Sequence, residues 1–454
     1  MTGFIDMQRQ GWQRNAEYKD LPFVLERPPV FSPAGAAQEP ANGSGAWWRW
    51  SPLFLPLEYT HWLEESVAHV DSVYIGDWSA LSKFHVNGPD AFTFMQWVGM
   101  NDLSDLAIGQ VKHHVQLTPE GLLASEGIVI RLSEDDFMYT GGGGDWTNFM
   151  FGQGSWDAKA EMLDADHFIF EVQGPKSIFV IEKVIGESLR DLAFNFSRPA
   201  KIVAAPVRVL RTGISGELGY ELHGPAEHAN GVWTAVVEAG KEYDIKQLGV
   251  RSQLVQHVEF GFATNGLDYL PASIVTPGAP RLIPQSTARG SYIPYTGVGE
   301  FFRSPLELGW GWNVDLDSHD FVGREAIKTE LAGGGPARRL VGLEWNTEDV
   351  IAIFASLFGD GPTIHPMELP RYTGFEFDEI RLDGQRVGCS TSRTYSPTLR
   401  KMISLGVIAK ELAEPGTEVT VLWGPPGPVQ KEIRCAVRAL PFKEDHRRVD
   451  VTML

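Results

Sequence analysis

The stretch 211-RTGISGELGYEL-222 decides how this chain is read. Gly213, Gly216 and Gly219 mark a tight hairpin, because glycine reaches backbone conformations closed to other residues. The hairpin leads into a strand in which Glu221 stands between Tyr220 and Leu222. An acid with apolar neighbours in a strand either points to solvent or grips a ligand. A carboxylate accepts two parallel N–H bonds, so it fits the donor–donor edge of a heterocycle. The hairpin alone leaves both readings open.

Outward from this hairpin, short strands and helices alternate. Upstream, 67–75 and 83–86 read as strands, Asn87-Gly88 as a turn, and 89–98 as a helix with Pro89 at its tolerant first position. A meander follows: 110–117, a turn at 118–121, 122–132, a turn at 133–136, then 137–140 running into Gly141-Gly142-Gly143-Gly144. Downstream, Gly333-Gly334-Gly335-Pro336 is the clearest boundary, since flexible glycines followed by proline continue neither element. Beyond it, short strands with Asp383-Gly384 and Pro415-Gly416 turns and little helix signal predict an antiparallel barrel or sandwich. The division expected is an extension over 1–45 wrapping the surface, a two-lobed region over 46–335 and a terminal β domain over 336–454.

Composition sets limits on function. With 58 acidic and 39 basic residues among 454, the net charge is −19, which repels phosphate backbones and argues against nucleic-acid binding. No run approaches the roughly 20 apolar residues of a membrane span, and the polar start lacks a signal-peptide core, so the expectation is a cytoplasmic protein. Cys389 and Cys435 stand far apart and read as reduced, buried thiols. The surplus is tryptophan, 14 against 11 tyrosines, with Trp47, Trp48, Trp50, Trp62, Trp78, Trp97 and Trp146 in the first third. Such rings suit flat ligands, though most are expected in the core.

Common catalytic signatures are absent: no GxxxxGK[ST], HExxH, GxSxG or EF-hand loop occurs. The run 141–144 lacks the Lys-Ser/Thr of a phosphate cradle and gives no convincing helix start, so it reads as a strand end that lets a flat ligand or another backbone come close. Adjacent His113 and His114 point to opposite faces of a strand and do not chelate one metal, so no metal is expected. Asn101-Asp102, after a helical run, reads on its own as a helix cap or Asx-turn.

Several segments resemble one family in the same order. The stretch 211–222 looks like the folate-site signature of the glycine-cleavage T-protein (aminomethyltransferase) family. Val172-Gln173-Gly174-Pro175-Lys176 resembles its strand-turn element, and Leu248-Gly249-Val250-Arg251 with Val258-Glu259-Phe260-Gly261 resembles its folate helix. Glu307-Leu308-Gly309-Trp310-Gly311-Trp312 and 320-DFVGREA-326 resemble a further conserved segment. Within the family, 351-IAIFASLF-358 and 420-TVLWG-424 are similar to the tetrahydrofolate-dependent aromatic O-demethylases. The resemblance implies an α+β, three-lobed aminomethyltransferase-like fold around a central tetrahydrofolate channel, closed by a C-terminal antiparallel β-barrel. It also implies that Glu221 holds the pterin, that Arg251 lies near the folate, and that Asp102, Val115 and Trp312 line its site.

Departures from the demethylase pattern carry the substrate argument. The active-site His position of that branch falls on Ala80, its catalytic Tyr on Gln253, and the Arg that pairs with a substrate carboxylate on Gly142. Without that Arg a benzoate lacks its counter-charge, so the small aromatic substrate is expected to be neutral. Conversely Asp102, which the resemblance places beside the folate nitrogens, is present as in aminomethyltransferases. An acid that takes or orients the N10 proton is needed when one carbon bridges two nitrogens, as in 5,10-methylene-tetrahydrofolate. The expected reaction is therefore opening of a methylenedioxy ring, as in the sesamin-metabolising branch, with release of a catechol. The alternatives are an O-demethylase of neutral methoxyarenes, an aminomethyltransferase, and a non-catalytic folate-binding protein. Candidates for the general acid are His61, His113, His114 and Tyr139.

Overall fold

The computed structural model describes residues 3–17, 30–50, 52–280, 289–369, 374–427 and 429–454. Much of the expected N-terminal extension has regular structure, and its residues 18–29 lie outside the described ones. Helix α1 (Phe4–Glu17) precedes a small sheet in which β1 (Val30–Phe31) runs parallel to β3 (Leu53–Pro56) and β2 (Trp47–Trp50) antiparallel to it. The Gln8 amide accepts from Phe31 N at 2.8 Å. Val30, Leu53 and Leu55 are buried against Ala80 and Val250, so this segment is anchored by apolar packing. A short helix, α2 (Gly35–Gln38), lies between β1 and β2.

Of residues 67–75, expected as a strand, the first five belong instead to helix α3 (Trp62–Asp71). The His61 side chain accepts from Leu63 N at 3.2 Å, and Glu64 and Glu65 occupy the first turn. Capping plus acids at the positive end of the helix dipole outweighed the strand reading.

After β4 (Tyr74–Asp77) the chain builds a five-stranded antiparallel sheet. Its strands are β5 (Ser82–Asn87), β6 (Val111–Leu117), β7 (Leu123–Ser133), β8 (Asp136–Gly142) and β9 (Lys159–Met162), in the order β6-β7-β8-β5-β9. Helices α4 (Ala91–Val98) and α5 (Gly144–Phe151) cover one face, burying Phe84, Val129 and Tyr139 with Phe94 and Trp146. The glycine run does open a helix, contrary to expectation. Gly141 also meets a neighbouring backbone: a Cβ there would stand 2.3 Å from Glu126 O.

The chain then returns to the sheet of β4 with β10 (His167–Gln173), β11 (Ser197–Ile202), β12 (Ala205–Leu210), β13 (Gly219–Pro225) and β14 (Lys246–Leu248). The order is β11-β12-β13-β10-β4-β14, and only β14 runs parallel to its neighbour. Helices α6 (Ser177–Ile185) and α7 (Ala229–Gly240) cover the outer face, where Phe168, Phe170, Val172, Leu222 and Trp233 form the core. The inner face turns to the first sheet: Leu210 packs with Val111 and Ile130.

Helix α8 (Val250–Phe260) is the joint between lobes. Glu65 of α3 accepts from Gly249 N at 2.8 Å and Ser252 Oγ at 3.1 Å, and Glu259 accepts from Ser396 Oγ at 2.5 Å. After α9 (Arg324–Ala332) comes a closed antiparallel barrel, β15-β18-β17-β16-β19-β20. Its strands are β15 (Arg338–Trp345), β16 (Asp378–Leu382), β17 (Gln385–Ser396), β18 (Lys401–Ala409), β19 (Glu418–Trp423) and β20 (Lys431–Arg438). One helix was unexpected: α10 (Thr347–Ala355), capped by Asn346 and buried at Ile353. Both cysteines are free and buried, as expected.

Candidate functional site

Cross-strand register fixes where Glu221 points. It lies directly opposite Leu210 of β12, and Leu210 faces the five-stranded sheet, so Glu221 faces the space between the sheets. On its other side it lies opposite Glu171 of β10, which in turn lies opposite Gly76 of β4. Trp78 lies over Gly76: a Cβ there would be 2.2 Å from the indole. The Trp78 ring stacks on Tyr74 at 6.5 Å and meets Trp50 edge-on at 6.1 Å.

Two carboxyls thus stand side by side on one sheet face. Glu221 Oε2 accepts from His223 Nε2 at 2.8 Å. Glu171 is only 3% exposed, and its Oε2 takes Gln173 Nε2 at 2.7 Å and the Tyr74 hydroxyl at 3.3 Å. Burial, and then repulsion from Glu221, pushes the Glu171 carboxyl well above the usual carboxylate range. The Gln173 amide oxygen accepts from Ser215 N at 3.1 Å. A Cβ at Gly213 or Gly219 would stand 2.3 or 2.6 Å from the Gln173 side chain. Of the hairpin glycines only Gly216 has positive φ, at 79°; the other two are needed for close approach. Beside His223 a cavity of about 240 Å³ opens between the sheets, walled by Ile130, Met138, Pro206, Arg208 and His167.

Asp102 sits in a second cluster, at the turn after α4. Asn101 Oδ1 accepts from Val115 N at 2.8 Å, and Met100 N donates to Val115 O at 2.9 Å, so β6 clasps the turn. Val115 therefore positions Asn101-Asp102 through its backbone while its side chain is buried. Asp102 Oδ1 accepts from Ser104 Oγ at 2.6 Å, Ser104 N at 2.9 Å and Gln96 Nε2 at 2.8 Å. The Ser104 bonds, hydroxyl first, with Gln96 lower the Asp102 carboxyl to about 2, so it is ionised at neutral pH. The Asx-turn reading is present in this geometry, and it yields a fixed anion.

His113 shares a face of β6 with Val115. Its Nδ1 accepts from Asn313 Nδ2 at 3.3 Å, Glu126 Oε2 lies 3.4 Å from Nε2, and Trp310 meets it edge-on at 5.2 Å. Trp312 stacks on the same ring at 6.5 Å and is 74% exposed. Asp102, Val115, His113 and Trp312 thus gather around β6, while Glu221 belongs to the facing sheet, and no described contact joins the two groups.

The remaining candidates lie elsewhere. His61 caps α3 with its ring exposed. Tyr139 is fully buried on the α4/α5 side of its sheet, its hydroxyl 2.6 Å from Ser125 Oγ, and burial pushes it far up. His114 faces the same way, bonded to Met95 O at 3.0 Å, and burial lowers it to about 4. Arg251 pairs with Glu58 at 2.5 Å above the Trp62 ring. Lys83 is buried and lowered to about 8 by burial, yet its ammonium donates to the carbonyls of Ser79 and Leu81, which makes it a clip for that turn. Gln253 donates to Asp77 O at 3.4 Å, and Gly142 O accepts from Asn265 at 3.2 Å. Glu171 was missed by sequence reasoning. Its signal was the two-residue alternation Ile169, Glu171, Gln173, which puts a second acid on the face of Glu221.

Comparison with known proteins gives this geometry a family. The sequence matches the GCVT N-terminal domain over residues 7–274 and the glycine cleavage T-protein C-terminal barrel domain over 370–442. It is 34% identical over 431 residues to the sesamin methylene transferase of Sinomonas sp. (strain No.22), covering 88% of this chain and 93% of that one. It is 30% identical over 423 residues to the syringate O-demethylase of Sphingobium sp. (strain NBRC 103272 / SYK-6), covering 86% and 90%. In fold it is similar to the glycine cleavage system aminomethyltransferase T of Bartonella henselae, with a TM-score of 0.71 at 20% identity over 91% of this chain and 98% of that one. Two matched domains, a closed terminal barrel and an acid on the inner face of the second sheet converge: the chain belongs to the glycine-cleavage T-protein family of folate-dependent transferases.

Proposed function

We propose that this enzyme opens the methylenedioxy bridge of a neutral aryl ether, passing its one-carbon unit to tetrahydrofolate and releasing a catechol. The observation that carries the reading is the ionised Asp102, held by Ser104, Gln96 and the Asn101–Val115 clasp. Likeness to the sesamin methylene transferase supports the same substrate class.

The residues present fit a reduced pterin. Glu221 offers acceptors to its donor–donor edge, Glu171 Oε1 has no donor among the described residues, and the Trp78 plane over Gly76 offers a flat wall. When bound, tetrahydrofolate supplies the nucleophilic N5 and N10 that take up the carbon. Asp102 acts as a fixed base or charge partner, because a carboxyl lowered to about 2 has no proton to give near neutrality. His113 is the best-placed proton carrier of the four candidates, with Glu126 beside Nε2 and the Trp310 and Trp312 rings against it. Arg251 serves the folate's glutamate tail by exchanging partners from Glu58. Gly142, in place of an arginine, leaves the aryl site without a counter-charge for a carboxylate.

The test is to incubate the protein with tetrahydrofolate and sesamin or a simpler methylenedioxybenzene and identify both products by mass. A catechol together with 5,10-methylene-tetrahydrofolate is expected. Formation of 5-methyl-tetrahydrofolate from a neutral methoxyarene, with methylenedioxybenzenes untouched, would establish the O-demethylase reading that the 30% identity to the syringate enzyme favours.

A further inference from the structure

The reading above uses only the donor-free Oε1 of Glu171, yet this acid is buried beside a second carboxyl. It is 3% exposed and directly across the strand pair from another carboxyl. Like charges so placed repel, and a buried anion with few donors is poorly solvated. Both of its donors, Gln173 Nε2 at 2.7 Å and Tyr74 Oη at 3.3 Å, fall on Oε2, leaving Oε1 without a donor among the described residues. Among the described residues, the titratable groups facing it are Tyr74 from β4 and Glu221 with His223 from β13, and no cation is bonded to it. These conditions favour a neutral Glu171 carboxyl with its proton on Oε1, beside a Glu221 whose Oε2 is bonded to His223.

The chemistry of a 2-amino-4-oxopteridine gives that proton a use. The N3–H and 2-amino donors that a carboxylate grips are flanked on both sides by acceptors, the 4-oxo oxygen and N1. A second carboxylate beside Glu221 would meet an acceptor and repel it, whereas a carboxylic acid there donates. We propose that Glu171 is a positioning and specificity residue, which donates its Oε1 proton to an acceptor flanking the pterin edge held by Glu221. The two side chains together then read a donor–donor–acceptor pattern. The proposal rests on the folate reading of the preceding section and adds to it a second, uncharged reader that the hairpin motif does not contain.

Tetrahydrofolate binding by the full chain, followed by titration calorimetry from neutral pH upward for as long as the protein stays folded, tests this directly. E171Q keeps an acceptor for Gln173 and Tyr74 and an N–H in place of the acid proton, so it is expected to lose no more than about threefold in affinity, whereas E171A loses about tenfold or more. Wild-type affinity should fall as pH rises through the Glu171 titration, and in E171Q that fall should vanish, since an amide does not ionise. A merely structural Glu171 would not produce this difference in pH profile. E171Q binding as poorly as E171A, or identical pH profiles for E171Q and wild type, would overturn the proposal. If wild-type protein and E171A bind equally well, the proposal fails alone; if wild type does not bind tetrahydrofolate, the folate reading fails and takes it down.

Discussion

Asp102 presents a single charge held by neutral donors, which makes its behaviour simple to forecast. Its carboxyl is lowered to about 2, so its stabilising contribution is present above the unfolded value and disappears only as pH falls towards 2. Between pH 5 and 9 Asp102 therefore adds no limb to the pH–rate profile, and any limb found there belongs to another group. Asp102→Asn is expected to lower kcat by about a hundredfold or more, with the melting temperature little changed, in steady-state kinetics and thermal unfolding. Wild-type turnover in that variant would remove the main support for methylene transfer. Gly76 is a second residue with a sharp expectation. Any Cβ would collide with the Trp78 indole, so Gly76→Ala displaces the ring at a cost of about 1–3 kcal/mol in urea unfolding, with weaker folate binding.

Among elements, β7 and β8 of the first lobe leave no room for a side chain where their glycines meet. Gly127 and Gly141 lie directly opposite, and a Cβ on Gly127 would stand 2.1 Å from Thr140 O. Alanine at either position has to part the two strands, and a loss of about 2 kcal/mol or more is expected, read as faster amide exchange along β7 and β8. At the N-terminal end of α8, Glu65 ties α3 and the turn before it to the helix. Glu65 takes Tyr59 N, Thr60 N, Gly249 N and Ser252 Oγ at 2.8–3.1 Å, and Glu65→Ala leaves these buried donors unpaired. That substitution is expected to cost about 3 kcal/mol or more in urea unfolding, and Glu65→Gln distinctly less. Some elements were legible before the structure: the meander 110–140 and the barrel strands follow from two-residue alternation between turn residues. Residues 62–71 and 347–355 were not, because short amphipathic helices share their composition with strands and are decided by caps such as His61 and Asn346.

At the scale of the molecule, α8 joins both lobes to the barrel through buried polar groups. Glu259 Oε1 accepts from Ser396 Oγ at 2.5 Å, His69 Nε2 lies 3.2 Å from its Oε2, and its backbone carbonyl accepts from Phe442 N at 3.0 Å. Burial raises the Glu259 carboxyl, but the His69 and Ser396 contacts outweigh it and hold it below its ordinary value. Its contribution is thus present at neutral pH and lost as pH falls through the lowered value. Glu259→Ala strands His69 in the core, and about 3–5 kcal/mol is expected, with barrel and lobe probes no longer melting together. The family, the terminal barrel and the candidate acids Glu221 and Asp102 were legible in the chain alone, because motifs, glycine hairpins and strand alternation are local and survive in one dimension. The folded arrangement was needed to tell the tryptophans apart, since Trp78 stands over Gly76 while Trp233, Trp345 and Trp423 fill cores. It also decided that Tyr139 and His114 face away from the space between the sheets, and that Glu171 stands beside Glu221. Those facts depend on strand register between segments some 50 residues apart, and register is fixed by packing across the sheet, which no local stretch of sequence contains.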